Sequence, residues 1–367
     1  KKILSDKYEL NTYDYKKPMF NSFSGHPNVG FNPDDGLKIG FAATYKVNSF
    51  IRNPFSQKHD VKLNYYFATN GYEFKYNGVF PNNINNWQVE LDAVVTSPNF
   101  SSNFFGFGNE TQNNDNELSL NYNRVKIQTL GIAPSLHWKG VSGAAFFAKI
   151  NFKSVQVDPT AERFIVLNPL IDPDVFQAQT YLAAQVRYSF ENYDNKSNPS
   201  MGLKFYLEGG YEVNFNSTFS RVPYIETALG FTHKLVKSNQ FVFAALAKSK
   251  MLFSNDYRFY QMATLGGDYD VRAFRFERFS GKNSFFITTD LRYEIGKFEN
   301  IFIPAKYGLF AGFDSGRVWL ENDFSNRWHN SFGGGIWING VNVITGKLSY
   351  FQGSDGGRLS IGIGLGF

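Results

Sequence analysis

The last nine residues show the pattern that governs the chain: Leu359, Ile361, Ile363, Leu365 and Phe367 alternate with Ser360, Gly362, Gly364 and Gly366. Successive side chains on a strand point to opposite faces, so one face of this segment is greasy and the other nearly bare. Segments of the same period, about ten to sixteen residues each, follow one another from Leu37 to the end. Clusters of Gly, Asn, Asp, Pro and Ser separate them as turns. In Ser284 to Ile295, Phe285, Ile287, Leu291, Tyr293 and Ile295 alternate with Thr288, Asp290, Arg292 and Glu294, which puts charge on one face and apolar groups on the other. Lys306 to Leu320 forms another such segment, and Val341 to Gln352 follows the hairpin pair Asn339-Gly340. No helical period interrupts the series, so the predicted fold is all-β.

Composition decides which all-β fold. The chain holds 40 Phe and 21 Tyr, with aromatics at 18% and charged residues at 19%, a surplus of rings over an ordinary soluble domain. Mean hydropathy is nevertheless −0.32. No stretch reaches the roughly 18 to 20 consecutive apolar residues of a membrane-crossing helix. Lipid-facing and lumen-facing residues that alternate along each strand cancel in this way, so the sequence predicts a single antiparallel transmembrane β-barrel. Counting segments gives about sixteen strands over residues 18–367, the first a weak one among Pro18 to His26. Residues 1–17 show no clean period and read as a linker from a periplasmic domain upstream.

Counting back from a periplasmic C-terminus assigns each connection a side. Short links then fall in the periplasm at Asn339-Gly340, Lys237 to Gln240, Asn192 to Pro199, Lys139 to Ser142, Pro81 to Asn86 and Asn53 to Lys58. Longer ones fall outside at Asn109 to Leu120, Val157 to Ala178, Ser254 to Lys282 and Glu321 to His329, as expected of an outer-membrane barrel with both termini periplasmic. Asn70-Gly71 is the exception, a tight hairpin on the outer side.

The remaining chemistry excludes more than it suggests. There is no cysteine, which removes Cys-based zinc sites. The five histidines, His26, His59, His137, His233 and His329, are isolated, so no catalytic residue, metal site or cofactor is expected in this chain. The +5 net charge is scattered rather than gathered in a run, which argues against nucleic acid as a partner. Asp34-Asp35-Gly36 lacks the alternating oxygen ligands of a calcium loop and reads as a turn. Trp138, Trp319, Trp328 and Trp337 fall near strand ends, where rings anchor barrels at the headgroups.

One stretch is more specific. Leu265-Gly266-Gly267-Asp268-Tyr269-Asp270-Val271-Arg272-Ala273-Phe274 resembles the signature of the superfamily containing the BamA and TamA assembly barrels and the two-partner secretion transporters, also described as the bacterial surface antigen family. There a Val-Arg-Gly-Phe tip lies on a long extracellular loop folded back into the lumen. Gly312-Phe313-Asp314-Ser315-Gly316 resembles the family's Phe-x-Asp-x-Gly strand, and Asp290-Leu291-Arg292 resembles a run common on the strand before it. The resemblance implies that Val271, Arg272, Ala273 and Phe274 form the loop tip, that Asp314 receives Arg272, and that Asp290, Gly312 and Gly316 line the pocket. A lumenal arginine has to be paired, and a bidentate carboxylate contact is strong and geometrically definite. The sequence departs from the family at Ala273, where glycine is usual, so a tip with positive φ would be strained. The terminal Ile363, Leu365 and Phe367 resemble the signal read by the barrel assembly machinery, which the resemblance therefore implies as a partner during biogenesis. Outer-membrane lipid and lipopolysaccharide are the expected surroundings.

The resemblance implies a barrel that moves or inserts polypeptide or lipid, its lumen plugged by the Arg272 loop. Two alternatives stay open. Arg52-Asn53-Pro54-Phe55 and Phe105-Gly106-Phe107-Gly108-Asn109 are similar to the branch carrying patatin-like or calcineurin-like phosphoesterase domains, for which the barrel is an anchor or exporter. A passive porin is the other.

Overall fold

The computed structural model describes residues 20–48, 55–84, 87–216, 220–298, 304–321, 323–341 and 344–364. In chain order these form β1 (Ser22–Asn32), β2 (Gly36–Val47), β3 (Gln57–Tyr66), β4 (Gly71–Ile84), β5 (Trp87–Thr96), β6 (Ser101–Asn103) and β7 (Arg124–Lys139). Next come β8 (Ala144–Val157), β9 (Gln179–Glu191), β10 (Gly202–Asn214), β11 (Arg221–Lys234) and β12 (Phe241–Leu252). A small hairpin of β13 (Ala263–Leu265) and β14 (Phe279–Gly281) precedes β15 (Asn283–Phe298), β16 (Ala305–Trp319), β17 (His329–Gly340), β18 (Ile344–Gly353) and β19 (Gly356–Gly364). The main sheet has seventeen strands, of which β6 is a three-residue branch on β7, leaving sixteen around the wall. All pair antiparallel with their neighbours, and β19 returns to β1. Closure satisfies backbone groups that hydrocarbon cannot, which is why a membrane admits barrels and not open sheets.

The alternation places greasy side chains outside. Ile39, Phe41 and Tyr45 on β2, Ile150 and Phe152 on β8, and Leu359, Ile361 and Ile363 on β19 are all exposed. Stacked rings gather at one rim of this band, as in Phe241 on Tyr293 and Phe298 on Tyr307, each pair with centroids 4.6 Å apart. Charge lies inside. Lys149 meets Asp92 at 2.7 Å, Lys153 meets Glu212 at 2.7 Å and Lys248 meets Glu226 at 3.0 Å, each pair joining different strands across the lumenal face. An apolar girdle around a charged interior is the arrangement of a membrane-spanning barrel.

Three sequence expectations move. The first strand is not Pro18 to His26 but Ser22–Asn32, because the tight turn at Pro33, Asp34 and Asp35 lets the ladder run up to Gly36. Asn339 and Gly340 are ladder residues opposite Thr345 and Ile344, so the turn there lies one step later, with Val341 at φ +48°. Trp337 faces inward and is buried, its indole N–H donating to the Leu309 carbonyl at 3.1 Å, so it is no interfacial anchor. Residues 1–17 and the terminal Leu365 and Phe367 lie outside the described residues, as do residues 53 and 54 of the 53–58 link.

The 253–282 connection between β12 and β15 folds into the lumen. Leu265, Val271 and Phe274 are fully buried against Phe286, Phe310, Val318, Trp337 and Phe351, which face inward from β15 to β18. A second apolar cluster of Phe104, Val125, Val157, Ile165, Tyr181 and Phe259 gathers the neighbouring loops over β7 to β9 at the same rim.

Candidate functional site

The site is built where the 253–282 loop meets the inner faces of β15 and β16. β16 presents Gly312, Asp314 and Gly316 inward, and β15 presents Asp290 beside them, since Asp290 pairs with Gly312 in the ladder. Arg272 enters this corner. Its Nε donates to both Asp314 oxygens at 3.1 and 3.0 Å, and its Nη2 donates to Oδ1 at 2.6 Å. Nη1 donates to Asp290 Oδ1 at 2.7 Å, and the Arg272 backbone N–H reaches Asp314 Oδ2 at 3.0 Å. The Ser331 hydroxyl from β17 completes the carboxylate's partners, and the Phe351 ring of β18 lies 4.0 Å from the guanidinium carbon. Asp314 is wholly buried, so its charge is matched by hydrogen bonds rather than by water.

Gly312 makes this possible. A Cβ there would lie 2.5 Å from Arg272 Nη2 and 2.6 Å from Asp290 Oδ1. Gly312→Val should therefore expel the guanidinium and leave the loop open to trypsin, whereas Ala311→Val, one residue along and facing outward, should not. Equal cleavage of the two variants would contradict the packing. Gly316 gives room for Leu265, whose Cδ1 would lie 3.1 Å from an added Cβ. At Ala273 no strain arises, because the tip is an ordinary turn closed by Phe274 N–H to the Val271 carbonyl at 3.1 Å, and Ala273 has no positive φ. The loop's positive φ values sit on either side of the tip, at Gly266 (+118°), Gly267 (+128°) and Glu277 (+54°). A Cβ on Gly266 would meet the Arg275 carbonyl at 2.1 Å, which only glycine avoids.

Sequence reasoning missed the rest of the grip. Arginines recur every third residue, and each takes a different part of the wall. Arg275 Nε donates to Asp34 at 2.5 Å and Nη1 to Asp115 at 2.6 Å, while Asp34 also accepts the Phe276 N–H at 3.1 Å. Arg278 donates to Asp355 at 2.5 Å and to the Thr111 hydroxyl at 2.6 Å. In return Arg358 of β19 donates to loop residue Asp268 at 2.6 Å. Asp34 sits in the β1–β2 turn and Asp355 in the β18–β19 turn, so the loop holds both sides of the barrel's closing seam. The Arg-x-x-Arg-x-x-Arg run with interleaved Phe was the visible signal.

The seam itself is short. Among the described residues β1 and β19 share two pairs, Gly30 with Gly362 and Phe31 with Ile361, against eleven between β1 and β2 and nine between β18 and β19. Of the terminal Ile363, Leu365 and Phe367, Ile363 lies within the described residues, and it faces outward and is exposed.

Asp270 adds a pH term. Its Oδ1 accepts the Gly266 and Val271 N–H groups at 2.9 and 2.6 Å, yet burial in the loop pushes its carboxyl up to about 7. A raised acid pKa means the docked loop holds the Asp270 proton more tightly than the free chain, so Asp270's own contribution to docking is full below about pH 4 and is lost as pH rises toward 7. Loop amides should accordingly be better protected at pH 5 than at pH 8 after correction for intrinsic rate, and Asp270→Asn should remove the difference. A parent protein with equal protection at both would contradict this.

No family model matches the sequence, and no curated protein matches it either. Solved structures do match. BamA from Haemophilus ducreyi lacking POTRA domains 1–3 superposes with a TM-score of 0.65 at 12% identity, over 93% of this chain and 70% of that one. CdiB from Acinetobacter baumannii gives 0.60 at 13% identity over 94% and 59%, and CdiB from Escherichia coli 0.58 at 10% over 92% and 62%. The chain thus spans less than two thirds of the length of the two CdiB chains. At these identities the likeness is one of architecture, and the chain has the sixteen-stranded barrel fold that the BamA and CdiB structures share.

Proposed function

We propose that this barrel is the membrane domain of an outer-membrane assembly or secretion transporter, with the Arg272 loop plugging the lumen and latching the seam between β1 and β19. The observation that carries it is the seam: two ladder pairs among the described residues, with the turns on either side tied to one loop through Asp34 and Asp355. A passive porin needs neither a short seam nor a loop packed into the lumen. Both termini lie in the periplasm on this reading, and the long-loop rim faces outward. The substrate class is unfolded polypeptide or lipid leaving sideways through the seam. The barrel assembly machinery inserts the chain itself, and lipopolysaccharide surrounds its outer half.

A cysteine pair tests the reading, since the chain has none of its own. Gly30 and Gly362 face each other across the ladder, where Cα separations of roughly 4.5 to 5.5 Å suit a disulfide. An added Cβ on Gly362 meets nothing within 4 Å. In liposomes the parent should speed membrane folding of a urea-unfolded barrel chain, and the oxidised G30C/G362C protein should not until reduced. A rate that oxidation leaves unchanged would rule out the seam as the exit.

A further inference from the structure

The connection between β9 and β10, residues 192–201, does not behave as a rim turn. It lies at the rim opposite the 253–282 loop's attachment, and its inner residues cross the barrel mouth. The Ser197 carbonyl accepts the Thr345 hydroxyl of β18 at 2.8 Å, and the Ser197 hydroxyl accepts from Asn339 of β17 at 3.2 Å. Arg292 of β15 donates to Asn198 Oδ1 at 2.9 Å and to the Pro199 carbonyl. Five strands separate β10 from β18 one way round the wall and eight separate β9 from it the other way, so the Ser197 contact with Thr345 spans the lumen, while Arg292 reaches the hairpin from β15, with two strands between β15 and β10. Ser197, Ser200, Asn339, Thr345 and Arg292 are all buried.

The hairpin is stiff enough to act as a barrier. Asp194 Oδ1 accepts the Ser200 and Met201 N–H groups at 2.8 and 3.1 Å, and Asn195 Oδ1 accepts the Ser197 N–H at 2.8 Å. The Asp194 N–H closes on the Met201 carbonyl at 3.0 Å. Two other links at this rim close on themselves: the Leu235 N–H on the Phe241 carbonyl, and the Gly140 N–H on the Ala144 carbonyl.

We propose that residues 192–201 form a second barrier across the lumen, in series with the Arg272 loop, with Arg292 as its latch. Both barriers rest on β15. Asp290 holds Arg272 from the loop, and Arg292, two residues on and on the same lumenal face, holds the hairpin. Release of one barrier then leaves the other closed.

Planar-bilayer conductance in potassium chloride tests this with whole chains. Either Arg272→Ala alone or replacement of residues 194–200 by Asn-Gly alone should leave conductance within about threefold of the parent, and the two together should raise it at least about tenfold. If Arg272→Ala alone conducts as well as the combination, the hairpin is no barrier and the proposal fails. Should the shortened hairpin prevent folding, S197C/N339C in an Arg272→Ala/Arg292→Ala background, where both latches are removed, replaces it. The oxidised protein should conduct no more than about a third as well as the reduced one. Failure of the disulfide to form, or equal conductance in both states, overturns the proposal. None of these outcomes depends on assembly activity, so they stand apart from the transport reading.

Discussion

Replacing Arg272 with alanine should destabilise loop docking by about 3 to 5 kcal/mol, the cost of leaving a buried charge without its partner. Asp314 would keep only the Ser331 hydroxyl and a backbone N–H, at a position with no access to water, and Asp290 would lose its cation as well. The readout is proteolysis. Arg275 and Arg278 are buried in the parent and should resist trypsin there, whereas both should be cut once the tip is released. The half-exposed Arg327, in the next loop, is cut in either protein and serves as the internal control. Asp314→Asn should give a smaller effect, because its amide still accepts hydrogen bonds from the guanidinium. A variant in which Arg275 and Arg278 stay protected would show that the loop is held elsewhere.

The barrel was legible because its physics is local. Alternation with period two is written in each strand, so β15, β16 and β19 could be read with their inward and outward faces, and sixteen strands counted. Asp314 and Arg272 were legible from spacing on a resembling motif. What tertiary distance decides was not. Arg275 and Asp34 are 241 residues apart, and nothing near Asp34 distinguishes a carboxylate that clamps a loop from one that caps a turn. Residues 192–201 carry the Asn, Asp, Ser and Pro of a solvated turn, and the same polar groups that satisfy a turn also bond across a lumen. Trp337 was misplaced for a similar reason: nearness to a strand end is no guide to which face a ring takes.

Cutting the ties that Arg275 and Arg278 make to the two seam turns, with Arg358 to Asp268 left in place, should loosen the seam while leaving the rest of the barrel intact. Asp34→Ala removes the acceptor for Arg275, and Asp355→Ala removes that for Arg278. Hydrogen bonds to charged groups contribute about 1.5 to 3 kcal/mol each, so the double variant should raise the seam's opening equilibrium by roughly a hundredfold or more. Cysteines at positions 30 and 362 in that background should oxidise correspondingly faster than in the parent. Unchanged oxidation would mean that the loop's contacts with the two turns do not govern closure.

Hydrogen exchange of the parent protein in a lipid mimetic tests the short, latched seam most directly. Among the described residues, the strand Leu359 to Gly364 shares two ladder pairs with β1 on one side, whereas β16 is laddered to β15 and β17 along its length. Leu359 to Gly364 should exchange at least about tenfold faster than Ala305 to Trp319, because local opening breaks fewer bonds there. Equal protection of the two strands would show a uniformly closed barrel and contradict the seam as a gate.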